Sequence, residues 1–412
     1  MKRLLGKTML FLLPLLVNIR SFNIPDLDFV MSILFFIVSL FFYQSDILNT
    51  RLNKGCGLLF LIVFLTAISL MRSADYYLLT KIRLSTIVLL YSLSTMILVN
   101  YFSARIQVLH IMLNGLVFYL YVVLVATRLN PQSNFAKFLS NLSYGDLMAQ
   151  GGSVFAVEYS YAPMSNNHLA TFVAVGLIYM FYRLRSRMSL IWMFHVIIFI
   201  VFIISTAARL PIIIIALILP FILFGSVDLI VRKWLILILP FTLIFISLFN
   251  VLSRLGFLSV IINNQEELLT INGRLYIWIE TMNELFHFKP IHLIGYGHHG
   301  NLQMDGVKSF LLATTTSEAL AFGTLHNMYL QMIADMGYLF LVMFMFLLYR
   351  VLTNITTRIR DKQSAVLLIG IIMNFQLCGM NESLWGNYLI ANVIIMVAIF
   401  SYVIFSPKYD FV

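Results

Sequence analysis

Apolar runs recur from one end of the chain to the other, at residues 5–19, 28–43, 56–71, 85–102, 107–127, 168–183, 188–207, 210–226, 234–252, 326–350, 363–381 and 387–406. At ~1.5 Å per helical residue, runs of this length match a hydrocarbon core of about 30 Å. The pattern predicts an all-α, polytopic integral membrane protein with about twelve transmembrane helices. After the first run, Asn18-Ile19-Arg20-Ser21-Phe22 offers no small-residue cleavage site, so that run reads as a retained helix. Two polar connections break the rhythm, 128–167 and 253–325, the second between the ninth and tenth helices. Within it, Leu275, Ile277, Trp278, Ile279, Met282 and Leu285 fall at near-helical spacing. That spacing predicts an amphipathic helix over Arg274–Phe286, able to lie on a leaflet. The chain reads as one membrane domain, 1–412, with large loops that cap one face.

Composition excludes a soluble domain, since 61% of residues are hydrophobic and 11% charged. The net charge of +10 matters through its distribution. If Lys2, Arg3 and Lys7 are cytoplasmic, the even-numbered connections share that side. They hold Arg51, Lys54, Arg105, Arg183, Arg185, Arg187, Arg232, Lys233, Arg350, Arg358, Arg360 and Lys362, and Lys408 lies in the tail. This concentration in short loops places both termini in the cytoplasm and both large loops outside. The basic residues follow helix ends and form no continuous stripe, which argues against a nucleic-acid partner. Cys56 and Cys378 fall at opposite ends of their helices, against a disulfide or a zinc site.

The candidate chemistry gathers at the predicted outer face. Arg209 follows Ser205-Thr206-Ala207-Ala208 and precedes Leu210-Pro211. Proline in a first turn marks a helix start, where anions are favoured, so Arg209 reads as a phosphate ligand or as an arginine snorkelling to headgroups. Gly273-Arg274 is followed one turn later by Trp278 on the same helix face, a functional pair or a solvated arginine packed on tryptophan. His326, with Asn327 and Tyr329, opens the tenth helix and is placed to take a proton from a sugar hydroxyl. Glu382, beside Asn381, ends the eleventh helix on the same side and can line the same cavity. Asp335, about nine residues into the tenth helix, would sit ~13 Å deep, where a carboxylate costs on the order of 3 kcal/mol unless paired. His287, His292, His298 and His299 cluster in the second loop without metal-ligand spacing, and adjacent histidines usually point apart, so neither metal nor other cofactor is called for. The first loop is rich in Asn, Ser, Gly and Tyr, which suits a sugar groove and equally any solvated loop.

Four motifs stand in order: Ser205-Thr206-Ala207-Ala208-Arg209, Gly273-Arg274 with Trp278, Gly295-Tyr296-Gly297, and His326-Asn327-Met328-Tyr329-Leu330 followed by Asp335 and Gly337. Together they resemble the O-antigen polymerase and O-antigen ligase superfamily over about residues 200–340. The resemblance implies a glycosyltransferase of the bacterial inner membrane, facing the periplasm, whose donor is a glycan on undecaprenyl diphosphate. Its arginines correspond to Arg209 and Arg274 and its histidine to His326, and the chemistry fits: two arginines can hold the diphosphate while His326 activates the acceptor hydroxyl. Tyr329, Asn327, Trp278 and Glu382 are the candidate substrate-binding residues. It also raises a chain-length regulator and a flippase as protein partners, beside membrane lipid. Two departures fall on Ser205, where the family often has Ser-x-Ser-Arg, and on Asp335, where it often has Glu.

Within that superfamily Gly295-Tyr296-Gly297 and the His326–Met332 run look more like a polymerase, which extends another lipid-linked repeat unit, than a ligase that transfers glycan to lipid A core. A transporter or flippase of lipid-linked oligosaccharide is the reading from another class. A carrier of two similar halves would place its long connection centrally and on the cytoplasmic side, and functional charges near the midplane. This sequence places them at the outer face.

Overall fold

The computed structural model describes residues 2–18, 26–42, 54–73, 77–102, 107–129, 166–206, 208–224, 274–314, 324–359, 361–380, 382–386 and 390–405. They form α1 (Lys2–Val17), α2 (Leu27–Leu40), α3 (Lys54–Met71), α4 (Leu78–Phe102), α5 (Gln107–Leu129), α6 (Asn166–Ser186), α7 (Leu190–Ser205), α8 (Arg209–Phe224), α9 (Arg274–Phe286), α10 (Asp305–Thr314), α11 (Met328–Arg358), α12 (Lys362–Gly379) and α13 (Ile390–Phe405). Two 3-10 turns, Pro290–Leu293 and Gly300–Gln303, lie between α9 and α10, and the described residues contain no strand. Eleven of the predicted apolar runs coincide with helices, while the run 234–252 and most of both polar loops lie outside the described residues. Five helices, α4, α5, α6, α11 and α12, are long and apolar enough to cross a membrane, and α2, α3, α7, α8 and α13 are shorter apolar helices. The architecture is that of an all-helical, multi-pass membrane protein.

Local chemistry sets the helix ends. Ser189 caps α7 by accepting from the Ile191 amide, and Asp361 caps α12 by accepting from Gln363 and Ser364. Pro211 stands in the first turn of α8, where its missing N–H costs no helical bond. A continuous apolar core runs through the bundle, with α1 packed on α5, α4 on α2, α3 and α13, and α6 on α7, α8 and α12. A second, smaller core joins Trp278 and Leu285 of α9 to Met304, Val307, Leu325, Leu330, Ile333 and Ala334. The apolar face predicted to rest on a leaflet is therefore covered by protein. Packing against the start of α11 buries Trp278 and Leu285 and partly covers Ile277 and Met282.

Helix α11 is not one rod. Gly337 has φ 84° and ψ 173°, which interrupts the ladder. The Ala334 and Asp335 carbonyls beside the interruption accept from Tyr296 and Gly297 amides at 2.8 and 2.9 Å. Beyond the break, residues 338–358 alone reach about 31 Å, a full span. The preceding segment, 328–336, lies level with the end of α3: the Ser69 hydroxyl approaches the Asp335 carbonyl at 3.4 Å, and the Ser69 carbonyl accepts from His298 at 2.9 Å. Asp335 is thus at the end of the bundle and not a third of the way into it. The straight-helix expectation fails because the glycine resets the axis. This end of the bundle, where α3 and α12 finish and α6, α8 and α11 begin, is called the site end below.

Candidate functional site

The site is built around His326, which has φ 48°, a left-handed conformation uncommon for a side chain other than glycine. The residues around it hold it there. The Leu325 carbonyl accepts from the Trp278 indole at 2.5 Å, and the Leu325 amide donates to Gln331 Oε1 at 2.8 Å. On the other side, Asn327 caps α11, accepting from Tyr329 and Leu330 amides at 3.1 Å each, while its Nδ2 donates to the Met380 carbonyl at 3.0 Å. Gln331 is itself fixed, donating to Asn301 Oδ1 and Asp335 Oδ1 at 2.9 Å each. Strain of order 1–3 kcal/mol persists only when its surroundings over-determine it, as they do here.

The His326 side chain is 38% exposed, and its Nδ1 lies 3.4 Å from Oε2 of Glu382. Glu382 is buried, so its charge needs partners. Its Oε1 accepts from Asn167 Nδ2 at 2.8 Å, and its Oε2 is 3.9 Å from Nε2 of His168. A carboxylate at Nδ1 keeps the proton there and leaves the Nε2 lone pair of a neutral imidazole as acceptor. The arrangement can take a proton from a hydroxyl and stabilise the imidazolium that results. The sequence reading reached Glu382 but grouped Asn167 with the polar loop and passed over His168. Their signal was position alone: both stand in the first turn of α6.

Arg209 and Arg274 are the first residues of α8 and α9. The path α6, α7, α8 runs away from the site end, back, and away again, so α8 starts at the site end. The Trp278 bond to Leu325 brings the first turns of α9 beside the residue that precedes His326. Trp278 is buried in the smaller core, and Tyr329 is fully buried with its hydroxyl donated to Gln376 Oε1 at 2.6 Å. In this arrangement Trp278, Asn327 and Tyr329 position the His326 backbone. Ser205 and Thr206 return their hydroxyls to carbonyls of Phe202 and Ile203, closing the end of α7.

Gly295–Gly300 forms a tight loop on α11. Asp335 Oδ1 accepts from the Gly300 amide at 2.9 Å, its Oδ2 lies 3.7 Å from His298 Nδ1, and Arg72 donates to the Ile294 and Gly295 carbonyls. His298 and His299 do not point apart: left-handed backbone at His299 stacks the rings with centroids 4.2 Å apart. Among the described residues, no three of His, Cys, Asp and Glu come together as a metal-binding group.

Residues 194–345 match a family model described as O-antigen ligase. The matched stretch runs from α7 to α11 and carries Arg209, Arg274, Trp278, His326, Asn327 and Tyr329. The match covers less than half of the chain and supports the O-antigen ligase and polymerase superfamily, whose members are membrane glycosyltransferase-like enzymes. No curated protein and no solved structure matches it.

Proposed function

We propose that the protein is a surface-polysaccharide polymerase, transferring glycan from undecaprenyl diphosphate to a second lipid-linked repeat unit. The observation that carries this reading is the strained, half-exposed His326 backed by buried Glu382. In the proposed step, Nε2 of His326 takes the proton of the acceptor hydroxyl as its oxygen bonds to the anomeric carbon. The bond from that carbon to the diphosphate breaks, and its electron pair leaves with the lipid diphosphate. Arg209 and Arg274, each opening a helix, balance that charge. Charge-assisted contacts of this kind are worth about 1.5–3 kcal/mol each, and helix starts add their own preference for anions. No metal is required for this charge balance.

The basic ends of α6 (Arg183, Arg185) and α11 (Arg358) lie opposite the site end, which supports cytoplasmic termini and a periplasmic site in the bacterial inner membrane. The description of the matched family favours a second reading, ligation of the glycan to lipid A core.

Purified protein given undecaprenyl-diphosphate-linked repeat units alone should yield a ladder of longer lipid-linked chains. Product only when lipid A core is added would make it a ligase. No transfer in either case, with cognate sugars, would sink both readings in favour of transport.

A further inference from the structure

The apolar face of α9 is covered by protein, but the chain that follows it is not. Phe286 is 76% and Phe288 59% exposed, and Leu293 and Ile294 are exposed beside them. Lys289, between them, pairs with Glu284, while His292 turns inward to the Tyr296 hydroxyl. Four large apolar side chains gathered on a polar cap mark a contact surface. Their place on α11 says what they contact. Leu293 and Ile294 pack on Gly337, where a built Cβ would lie 2.3 Å from the Leu293 carbonyl oxygen. The Tyr338 hydroxyl donates to the Leu285 carbonyl at 3.3 Å. The patch therefore sits where the spanning part of α11 begins. From that point Leu339, Val342 and Phe346 recur at helical spacing, all exposed, as a stripe that lipid would cover in a membrane-spanning helix. The patch continues this stripe at its site end.

We propose that residues 286–294 are a wedge inserted into the leaflet at the site end, covered there by phospholipid acyl chains. His287 and Lys289 stand between and beside the phenylalanines, where their polar heads reach the headgroups. The wedge anchors one end of α9. Arg274 begins the other end, about 18 Å along the axis, so the anchor sets its height above the leaflet. This inference rests on the multi-pass architecture and on no assumption about glycosyl transfer.

The test uses the full-length protein carrying Phe288→Trp in phosphatidylethanolamine–phosphatidylglycerol nanodiscs, with and without bromine on the acyl chains. Subtracting the wild-type emission isolates the added indole. Interfacial side chains lie ~5–10 Å into the headgroup–acyl boundary, so its emission should fall at least about twofold in brominated discs. Lys308→Trp, on the exposed face of α10, should keep its emission. Equal emission from the Phe288→Trp protein in both discs, or quenching no greater than the Lys308→Trp protein shows, would overturn the wedge. Phe286→Trp serves in its place if Phe288→Trp does not accumulate. Because activity is not read, loss of the wedge and loss of the transferase reading are separable.

Discussion

The left-handed backbone of His326 decides which substitutions test its role. Alanine there loses the polar side chain that makes histidine, like asparagine and aspartate, more tolerant of a left-handed position, so a dead His326→Ala protein leaves chemistry and strain mixed. Asparagine tolerates this conformation and cannot take the proton. His326→Asn is expected to accumulate and insert like the wild type while glycan transfer falls by ~10²–10⁴-fold, the usual worth of a general base. Wild-type rates in that variant would remove His326 from the chemistry. Glu382→Gln keeps an oxygen to accept from Asn167 but removes the charge that stabilises an imidazolium. Its kcat should drop by no more than that same ~10²–10⁴-fold, with donor KM little changed, because Glu382 acts through His326. A rise in KM alone would instead mark Glu382 as a binding group.

At the scale of elements, the cap and the start of α11 behave as one unit joined at Gly337. A Cβ there would meet the Leu293 oxygen at 2.3 Å and the Ile294 nitrogen at 2.5 Å, and φ is 84°. Gly337→Ala should destabilise the unit by at least the ~1–3 kcal/mol of backbone strain. Faster proteolysis between Phe286 and Gly300 would report it, and unchanged cleavage would contradict the broken-helix geometry. The cap also has an acid limit. Burial lowers the pKa of His292 below its ordinary 6.5, with Lys289 adding to and Glu284 opposing the shift. Its neutral ring accepts from the Lys289 amide at 3.2 Å and faces the Tyr296 hydroxyl. A depressed histidine pKa contributes stability that is complete above the unfolded value and is lost as pH falls through the folded one. Amide exchange in 286–297, corrected for intrinsic rates, should therefore quicken below about pH 6.5 and not above it. Exchange independent of pH would remove His292 from the cap's stability.

For the molecule as a whole, the apolar runs carried most of the architecture, because a lipid-facing helix must be apolar over a fixed length. Arg274–Phe286 was legible as a helix from its spacing, as was the start of α8 from Pro211. What could not be read was which surface each polar residue would meet. Asp335 looked membrane-buried because a left-handed glycine two residues later leaves no trace in hydropathy. The neighbourhood of Glu382 was hidden because Asn167 and His168 are distant in sequence and meet it only when α6 packs on α12. Tyr329 and Trp278 stand beside polar residues in the sequence, and only packing shows that both side chains are buried.

The break at Gly337 also separates two mechanical tasks that a straight helix would combine. A span that must follow bilayer thickness does so by tilting, at a cost of fractions of a kcal/mol per ångström of mismatch. In α11 that adjustment falls to residues 338–358, while 328–336 stays bonded to the Gly295–Gly300 loop and to the end of α3. His326 thus takes its bearings from the cap and from Glu382, so the span below can lean in membranes of different composition without carrying the histidine with it.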